Sequence, residues 1–514
     1  MTLFRDLLDA KPRATLATVT LDPRTPVIVG VGQVLSRPHE RLVEPLVLMV
    51  DALRVAADDA GSGGGRLLQS LDLLSSVASF VWHPADASLL VAERLGIHPK
   101  ATQRTATGGT IPSKLMAQAA AEIAAGRIES AAFVGAEAMA SRAFLKKQGE
   151  RAQWTNQGSE VSPANTFGAE IIPLSELEVN RGLSAPVGIY PLFENARRRT
   201  QGETLEEHRR RLGTLWSSFS EVAVSNPFAW IPEFVDAEAI ITPTPSNRMI
   251  AEPYTKRMVA NLPVDQGAAV LMCSLGRARD LGVDPDLLVF PWAHVTGDDP
   301  ALVSHRPALD RSVALQVMAP ELLEAGGVEL DEVAHFDLYS CFPVAVEMAA
   351  DALGLGLDDP RGLTVTGGLT FAGGPGNNYV THSLSSMVQR LRAMPGSIGL
   401  VSGLSYFATG HAMGLYSTRP PEHAFEDRDL QPVLAQFPLQ AVADHLTGDV
   451  EVETYTVLHD REHGPISAIF AVRDRNQVRS WATFAEEGTL GEISGTDLLG
   501  TRGTMGLDGR FNFH

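Results

Sequence analysis

Two regions of the chain share one succession of hydrophobic and polar positions. The first starts with an apolar run at Thr25, continues in a helix with apolar residues at helical spacing, and then shows a Gly-rich stretch, a second helix and an apolar strand. The second starts at Asp286 and repeats this order as far as Ser417. Strands that alternate with helices predict mainly parallel sheets covered on both faces. The matched order favours an internal duplication, although any α/β protein shows part of this rhythm.

Two other regions depart from this pattern. Residues 141–248 are polar, broken by prolines and contain a charged helix, which predicts a loop or lid subdomain. Residues 418–514 open with a Pro-rich linker and continue in segments that alternate apolar and polar residues, which predicts a small antiparallel, OB-like β-barrel. The predicted organisation is an N-terminal extension (1–24), a first half (25–140 and 249–285), the insert (141–248), a second half (286–417) and a C-terminal domain (418–514).

Charge and cysteine content exclude several classes of function. The net charge of −19 argues against nucleic-acid binding and binding to anionic membranes, although it leaves a local basic pocket for a phosphate or CoA open. The region after Ser417 has eight arginines, no lysine and sixteen acidic residues, which favours a protein-facing or ligand-lid role. Two cysteines exclude a disulfide framework, and no pattern has metal-ligand spacing. The absence of a secretory pattern and of any long apolar run predicts a cytoplasmic protein.

Four motifs resemble those of a known family. They are "AAAEIAAGRIESAAFVGAEAM", "SNPFA", "SNRMIAEPYTKRMVANLPVDQGAAVLM" and "GGLTFAGGPGN". With the duplicated halves they resemble the thiolase superfamily, in its sterol-carrier-protein-thiolase branch, over Thr25 to Ser417. The acidic C-terminal region resembles the type 1 thiolase-like proteins that carry an added domain. The resemblance implies a duplicated βαβαβ fold in five layers, α-β-α-β-α.

The same resemblance implies a degenerate catalytic site. Thiolases use a nucleophilic cysteine at a helix N-terminus, the histidine of a "GHP" motif, a second cysteine, and an asparagine or histidine that helps stabilise an oxyanion. The matching positions in this chain are Gly109, Gly374, Gly403 and Tyr339. Because three of these four side chains are missing, we expect no classical thiolase turnover.

Several remaining side chains have both a chemical and a structural interpretation. Tyr339 is suited to donating a hydrogen bond to a substrate carbonyl or to packing in a pocket. His411 follows the last strand of the core and is either a base or a structural histidine. Thr110 and Ser113 lie beside the missing nucleophile; we expect Thr110 to cap the helix, and the sequence shows no base that would activate either hydroxyl.

The two cysteines are expected to be packing residues. Cys273 lies within an apolar run that predicts a core strand, and Cys341 lies two residues after Tyr339 near a helix start. Cys341 alone has an alternative as a reactive thiol.

The resemblance implies three alternative functions. The first is a protein that binds CoA or an acyl-CoA in lipid or sterol metabolism without thiolase turnover and with no other cofactor. The second is an acyl-CoA aldol lyase or acyltransferase that uses Tyr339. The third is a non-enzymatic scaffold that holds a protein partner through its C-terminal barrel. A monomer is favoured over a homodimer, because the segment "TQRTATGG" beside the nucleophile position differs from thiolases and a domain is added.

Overall fold

The structure is a computed structural model that describes residues 21–162, 165–462 and 464–513. Most of the predicted N-terminal extension, residues 1–20, lies outside the described residues. The first half contains β1 (Pro26–Leu35), α1 (Pro45–Asp59), α2 (Gly64–Gln69), β2 (Leu73–Ser76), α3 (Ala87–Leu95), β3 (Ala101–Thr105), α4 (Ile111–Ala124) and β4 (Ser130–Ala138). The insert contains α5 (Met139–Lys147), β5 (Asn165–Phe167), α6 (Glu176–Asn180), α7 (Pro186–Gln201), α8 (Leu205–Ser225) and α9 (Ala237–Ile241).

The chain then returns to the first half and continues into the second. The return comprises β6 (Met249–Ala251), β7 (Tyr254–Thr255), β8 (Asp265–Ser274) and α10 (Leu275–Asp280). The second half contains β9 (Phe290–Asp298), α11 (Val313–Gly326), β10 (Val333–Asp337), α12 (Pro343–Leu353), α13 (Gly368–Phe371), α14 (Tyr379–Ala393), β11 (Ile398–Ser405) and β12 (Gly410–Ser417). The C-terminal region contains β13 (Glu426–Asp429), α15 (Gln431–Leu434), β14 (Gly448–Asp460), β15 (Gly464–Arg473), β16 (Arg479–Phe484), α16 (Glu487–Ile493), β17 (Arg502–Met505) and β18 (Phe511–Phe513).

The two halves have the same strand order, which confirms the predicted duplication. The first sheet runs β1-β8-β4-β2-β3-β5, and the second, starting from β9, runs β9-β12-β11-β10 with β13 on its outer edge. In each half the second strand of this order is antiparallel to both neighbours, and the next pair is parallel. The prediction of mainly parallel sheets therefore holds for the described strands, because five of the six strands in the first sheet and four of the five in the second run in one direction, with β8 and β12 reversed. β12 follows β11 through a short turn, which only an antiparallel pair permits.

Helices α4 and α14 lie between the two sheets. Both helices contact strands of the first sheet on one side and strands of the second sheet on the other. Helix α1 packs on the first sheet, and α11 packs on the second and contacts α12. The order of layers is thus α-β-α-β-α, as predicted. Since α4 begins at the candidate site, the central layer positions that site between the halves.

The C-terminal region forms a separate antiparallel sheet with the order β16-β15-β14-β17-β18, and β6 also pairs with β14. The described strands are hydrogen-bonded as an open sheet. One isolated bridge joins Thr483 to Arg510 near its two ends. The antiparallel sheet is confirmed, while its closure into a barrel stays a prediction.

Helix α7 of the insert packs against this C-terminal sheet. Its Asn195 side-chain amide donates to the Tyr455 carbonyl oxygen at 2.9 Å, and the Thr454 hydroxyl donates to the Leu192 carbonyl oxygen. Arg198 forms a bidentate ion pair with Asp497, which follows α16, with N–O distances of 2.9 and 2.6 Å. The insert therefore lies between the second half and the C-terminal sheet.

A buried ionic network joins the insert to the second half. The imidazole of His208 in α8 lies 3.1 Å from a Glu194 oxygen in α7 and 2.8 Å from a Glu203 oxygen. Arg211, one turn further along α8, lies 2.6 Å from a Glu347 oxygen in α12. Removing one partner of a buried ion pair lowers the free energy of unfolding by roughly 3–5 kcal/mol. These pairs therefore fix how α7, α8 and α12 pack together.

The network shifts the proton affinities of its members. Burial, together with the charge of Glu194, raises the pKa of Glu347 to about 7, despite the nearby Arg211 and Arg197. Burial alone would lower the pKa of His208, but the ion pair with Glu194 and the other nearby carboxylates raise it above 6.5. The folded protein therefore keeps a proton on His208 at pH values at which the unfolded chain has released it.

We expect the contribution of His208 to the free energy of unfolding to fall as the pH rises above about 6.5, the ordinary pKa of histidine. The contribution of His208 is complete below its unfolded pKa and is lost as the pH rises through the raised folded pKa. Urea unfolding at pH values from about 7 to about 8.5 measures this slope. His208→Gln should flatten it, and an identical slope in both proteins would show that His208 carries no such charge.

Candidate functional site

The turn before α4 has no room for a side chain at Gly109. A Cβ atom there would collide with the Leu404 carbonyl oxygen and would lie 2.8 Å from the Tyr339 hydroxyl oxygen. In a close-packed interior such contacts force the surrounding atoms to move. The aromatic side chain of Tyr339 thus occupies the space into which a nucleophile at this turn would project.

Tyr339 is held in this place from several sides. Its backbone amide donates to the Ser402 hydroxyl at 2.9 Å. Its ring packs edge-on against the ring of Tyr379, with 5.3 Å between the two ring centroids. Burial, followed by the effect of Cys341, raises the pKa of Tyr339 well above its ordinary value. Within the described part of the chain, no group accepts or donates a hydrogen bond at the Tyr339 hydroxyl. Tyr339 is therefore a protonated donor that faces the Gly109 turn.

Strand β11 supplies the opposite wall of the turn. A Cβ atom at Gly403 would lie 3.3 Å from the Thr110 Cα atom and 3.5 Å from the Gly109 carbonyl oxygen. The structure thus brings Gly109, Gly403 and Tyr339 together, as the sequence comparison predicts. The Gly108 amide donates to the Asn377 side chain at 2.9 Å, which adds the Gly-rich loop before α14 to the same cluster.

Thr110 does not cap α4 with its side chain, so that expectation is wrong. Its hydroxyl lies 2.7 Å from the Ser405 hydroxyl, and its amide donates to the same oxygen at 3.0 Å. The competing interaction with β11 takes the hydroxyl away from the helix end. Ser405 therefore fixes the turn to the second half.

Gly374 lies apart from this cluster. Its amide donates to the Asn261 carbonyl oxygen at 2.9 Å, and the atoms nearest to a Cβ there belong to residues 260–262, at 3.4 Å or more. A small side chain would fit at this position, in contrast to Gly109. The side chains of Phe80 and Leu262 are each more than 40% exposed beside this Gly-rich loop.

His411 is enclosed in a separate polar cluster. Its Nε2 atom lies 3.3 Å from Asp299, 3.3 Å from Ser312 and 3.2 Å from the Ala408 carbonyl oxygen. Burial alone would raise the pKa of Asp299, but His411 and Arg306 hold it below its ordinary value. Asp299 also accepts a hydrogen bond from Ser312, the residue that caps α11. The observed contacts of His411 are those of a structural residue, and its role as a base stays a prediction.

Ser113 has a base that the sequence does not reveal. The His294 Nε2 atom lies 3.0 Å from the Ser113 hydroxyl, and its Nδ1 atom lies 2.8 Å from Asp427. The distances are those of a Ser–His–Asp relay. Ser113 is 1% exposed, however, and faces the second sheet. The relay therefore ties α4, β9 and β13 together inside the protein.

Neither cysteine has the setting of a reactive thiol. Burial raises the pKa of Cys341 to about 12 and that of Cys273 to about 12.

Among the described residues no group of His, Cys, Asp or Glu side chains is arranged to hold a metal ion. None of the described helices is both long and apolar enough to cross a membrane.

Known proteins resemble this chain over two different spans. A family model described as the thiolase-like protein type 1 additional C-terminal domain matches residues 429–510. The crystal structure of a monomeric SCP2-thiolase-like protein type 1 from Mycobacterium smegmatis is 31% identical, with a TM-score of 0.81, over 96% of this chain and 100% of that one. The chain belongs to the SCP2-thiolase-like protein type 1 family. No significant sequence match was found among curated proteins.

More distant structures share the fold of this type 1 thiolase-like protein. The Ltp2-ChsH2(DUF35) aldolase is 20% identical with a TM-score of 0.57, over 78% of this chain and 99% of that one. The dimeric peroxisomal thiolase of Saccharomyces cerevisiae is 14% identical with a TM-score of 0.56, over 78% of this chain and 98% of that one. Both establish a thiolase-like fold and nothing about chemistry.

We predict a graded response to alanine at Gly109, Gly403 and Gly374. Gly109→Ala should lower the free energy of unfolding by about 1–3 kcal/mol, because Leu404 and Tyr339 must move. Gly403→Ala should cost less, and Gly374→Ala should cost least, because their neighbours lie further away. Urea unfolding of the three variants measures this order. Equal stability of all three would contradict the packing of Tyr339 against Gly109.

Proposed function

We propose that this protein binds CoA or an acyl-CoA, in lipid or sterol metabolism, without forming an acyl-enzyme and without thiolase turnover. The observation that carries the proposal is the position of the Tyr339 hydroxyl at the Gly109 turn. A thiolase needs a thiolate at this turn, and glycine has no side chain to which an acyl group can be transferred. A family fold with its nucleophile replaced by a fixed hydrogen-bond donor is suited to holding a carbonyl compound.

Two features support ligand binding at this site. The Tyr339 hydroxyl has no hydrogen-bond partner among the described residues, so a thioester carbonyl oxygen that reached it would accept an otherwise unused hydrogen bond. The exposed rings and methyl groups of Phe80 and Leu262 flank the neighbouring Gly-rich loop and offer apolar surface to an acyl chain.

We also propose that the protein acts as a monomer. Strand β5 of the insert pairs with β3 and covers the outer edge of the first sheet, with Gln103 opposite Asn165 and Thr105 opposite Phe167. The edge of the sheet is therefore the three-residue strand β5, and so short an edge strand offers little backbone for pairing with a second copy. The relative from Mycobacterium smegmatis is described as monomeric.

A carbon–carbon lyase or acyltransferase that uses Tyr339 is the second candidate. The free hydroxyl favours it, since a tyrosine donor polarises a carbonyl group. The raised pKa of Tyr339 makes this residue a donor rather than a base. His411 is 1% exposed, and its contacts are with Asp299, Ser312 and Ala408 and not with Tyr339.

The deciding experiment is a calorimetric titration of wild-type protein and Tyr339→Phe with CoA, acetyl-CoA and a steroid-type β-hydroxyacyl-CoA. We expect an acyl-CoA to bind wild-type protein more tightly than free CoA does, because only the thioester offers a carbonyl acceptor to Tyr339. Tyr339→Phe should weaken acyl-CoA binding by about tenfold and leave CoA binding unchanged.

Product analysis of the same mixtures separates the two candidates. Cleavage of the β-hydroxyacyl-CoA that is lost in Tyr339→Phe would establish the lyase. Absence of binding to all three compounds would reject both candidates and favour the scaffold. Tyr455→Phe is a matched control, because the hydroxyl of Tyr455 is already bonded to the Thr496 carbonyl oxygen in the C-terminal region.

A further inference from the structure

A cleft of about 810 Å³ lies between the insert and the C-terminal sheet. Helix α7 forms one wall, residues 307–311 form another, and strands β14, β15 and β17 with the turn after β15 form the rest. None of its lining residues belongs to the site around Tyr339. Small-molecule sites typically measure roughly 300–1,000 Å³. We call it the arginine cleft, after the five arginines that line it: Arg199, Arg311, Arg473, Arg475 and Arg502.

Two acidic residues of the cleft are each shared between two arginines. Glu451 pairs with Arg199 at 2.9 Å and with Arg502 at 3.8 Å. Glu453 pairs with Arg473 and with Arg479, the first residue of β16. Each glutamate is thus shared by two guanidinium groups. The five arginines of the lining are balanced by five acidic residues, so the cleft is neutral in formal charge within a protein whose net charge is −19.

The remaining acidic residues mostly have local partners. Asp310 pairs with Arg311 at 3.1 Å and accepts a hydrogen bond from Thr200 at 2.9 Å. Asp474 accepts hydrogen bonds from two backbone amides of its own turn. In the part of the chain that the structure describes, Asp449 alone among the acidic lining residues has no side-chain partner.

Several arginine donors in the cleft are unused. Arg475 is exposed and has no hydrogen bond or ion pair among the described residues. Arg502 is 81% exposed and is held only by the long contact to Glu451. The Nε–H of Arg473 is buried without an acceptor. A guanidinium group binds phosphate oxygens through parallel hydrogen bonds, which makes phosphate the anion that such donors fit best.

We propose that the arginine cleft binds a phosphate-bearing ligand of nucleotide size, with Arg475 and Arg502 contacting phosphate oxygens. The volume exceeds what a single phosphate fills, and the unused donors belong to the C-terminal sheet and to the turn after β15. This site is independent of the proposed function at Tyr339, because the two share no residue.

Calorimetric titration of the full-length protein at low ionic strength tests this site with ADP, inorganic pyrophosphate and adenosine. We expect ADP and pyrophosphate to bind and adenosine not to bind, with affinities that fall as salt is added. The double variant Arg475→Ala/Arg502→Ala should bind ADP at least about tenfold more weakly, because it loses charged hydrogen bonds. Both side chains are exposed, so the variant should keep the thermal stability of the wild type.

Three further variants make the result specific. Asp449→Asn removes a repelling charge and should strengthen ADP binding a few-fold. Arg510→Ala, an exposed arginine outside the cleft, should bind ADP like the wild type, and so should Tyr339→Phe. The proposal is overturned if ADP does not bind, if adenosine binds as well as ADP, or if the double variant binds ADP normally.

Discussion

The contact between the Tyr339 side chain and the Gly109 turn determines what the rest of the candidate site is able to do. The Tyr339 hydroxyl and the Leu404 carbonyl oxygen fill the space above Gly109. Because the side chain of Tyr339 is buried, its hydroxyl keeps its proton. The Thr110 and Gly108 amides of the turn donate to Ser405 and to Asn377 in the loop before α14, and Ser402 accepts from the Tyr339 amide. The turn is therefore fixed to the second half, with the Tyr339 hydroxyl facing Gly109.

The insert and the C-terminal sheet are bound to this core by charge rather than by apolar packing alone. His208 and Glu347 connect two insert helices to α12, and Arg198 connects α7 to the segment after α16. Asp427 extends the same principle into the central helix layer, because it orients His294 towards Ser113. The added domain is thus continuous with the core, and the arginine cleft lies at the junction of the two.

The sequence predicts those features that depend on local pattern. Repeated periodicity predicts the two halves. The motifs point to Gly109, Gly403 and Tyr339, which the structure brings together, and to Gly374, which lies apart from them. Strand direction is not local: β8 and β12 are antiparallel to their neighbours although a long insert precedes β8 and only a short turn precedes β12. The predicted capping role of Thr110 is wrong because Ser405, 295 residues away, competes for its hydroxyl. The partners of His294 lie 181 and 133 positions from it, so no spacing rule indicates them.

The central claim is that no covalent acyl intermediate forms on this protein. Intact-protein mass spectrometry tests it directly after incubation with acetyl-CoA or a 3-ketoacyl-CoA and an acid quench. The account predicts the unmodified mass of the 514-residue chain in every sample. A mass increase of one acyl group, mapped to any residue of the Gly109 turn, would contradict it.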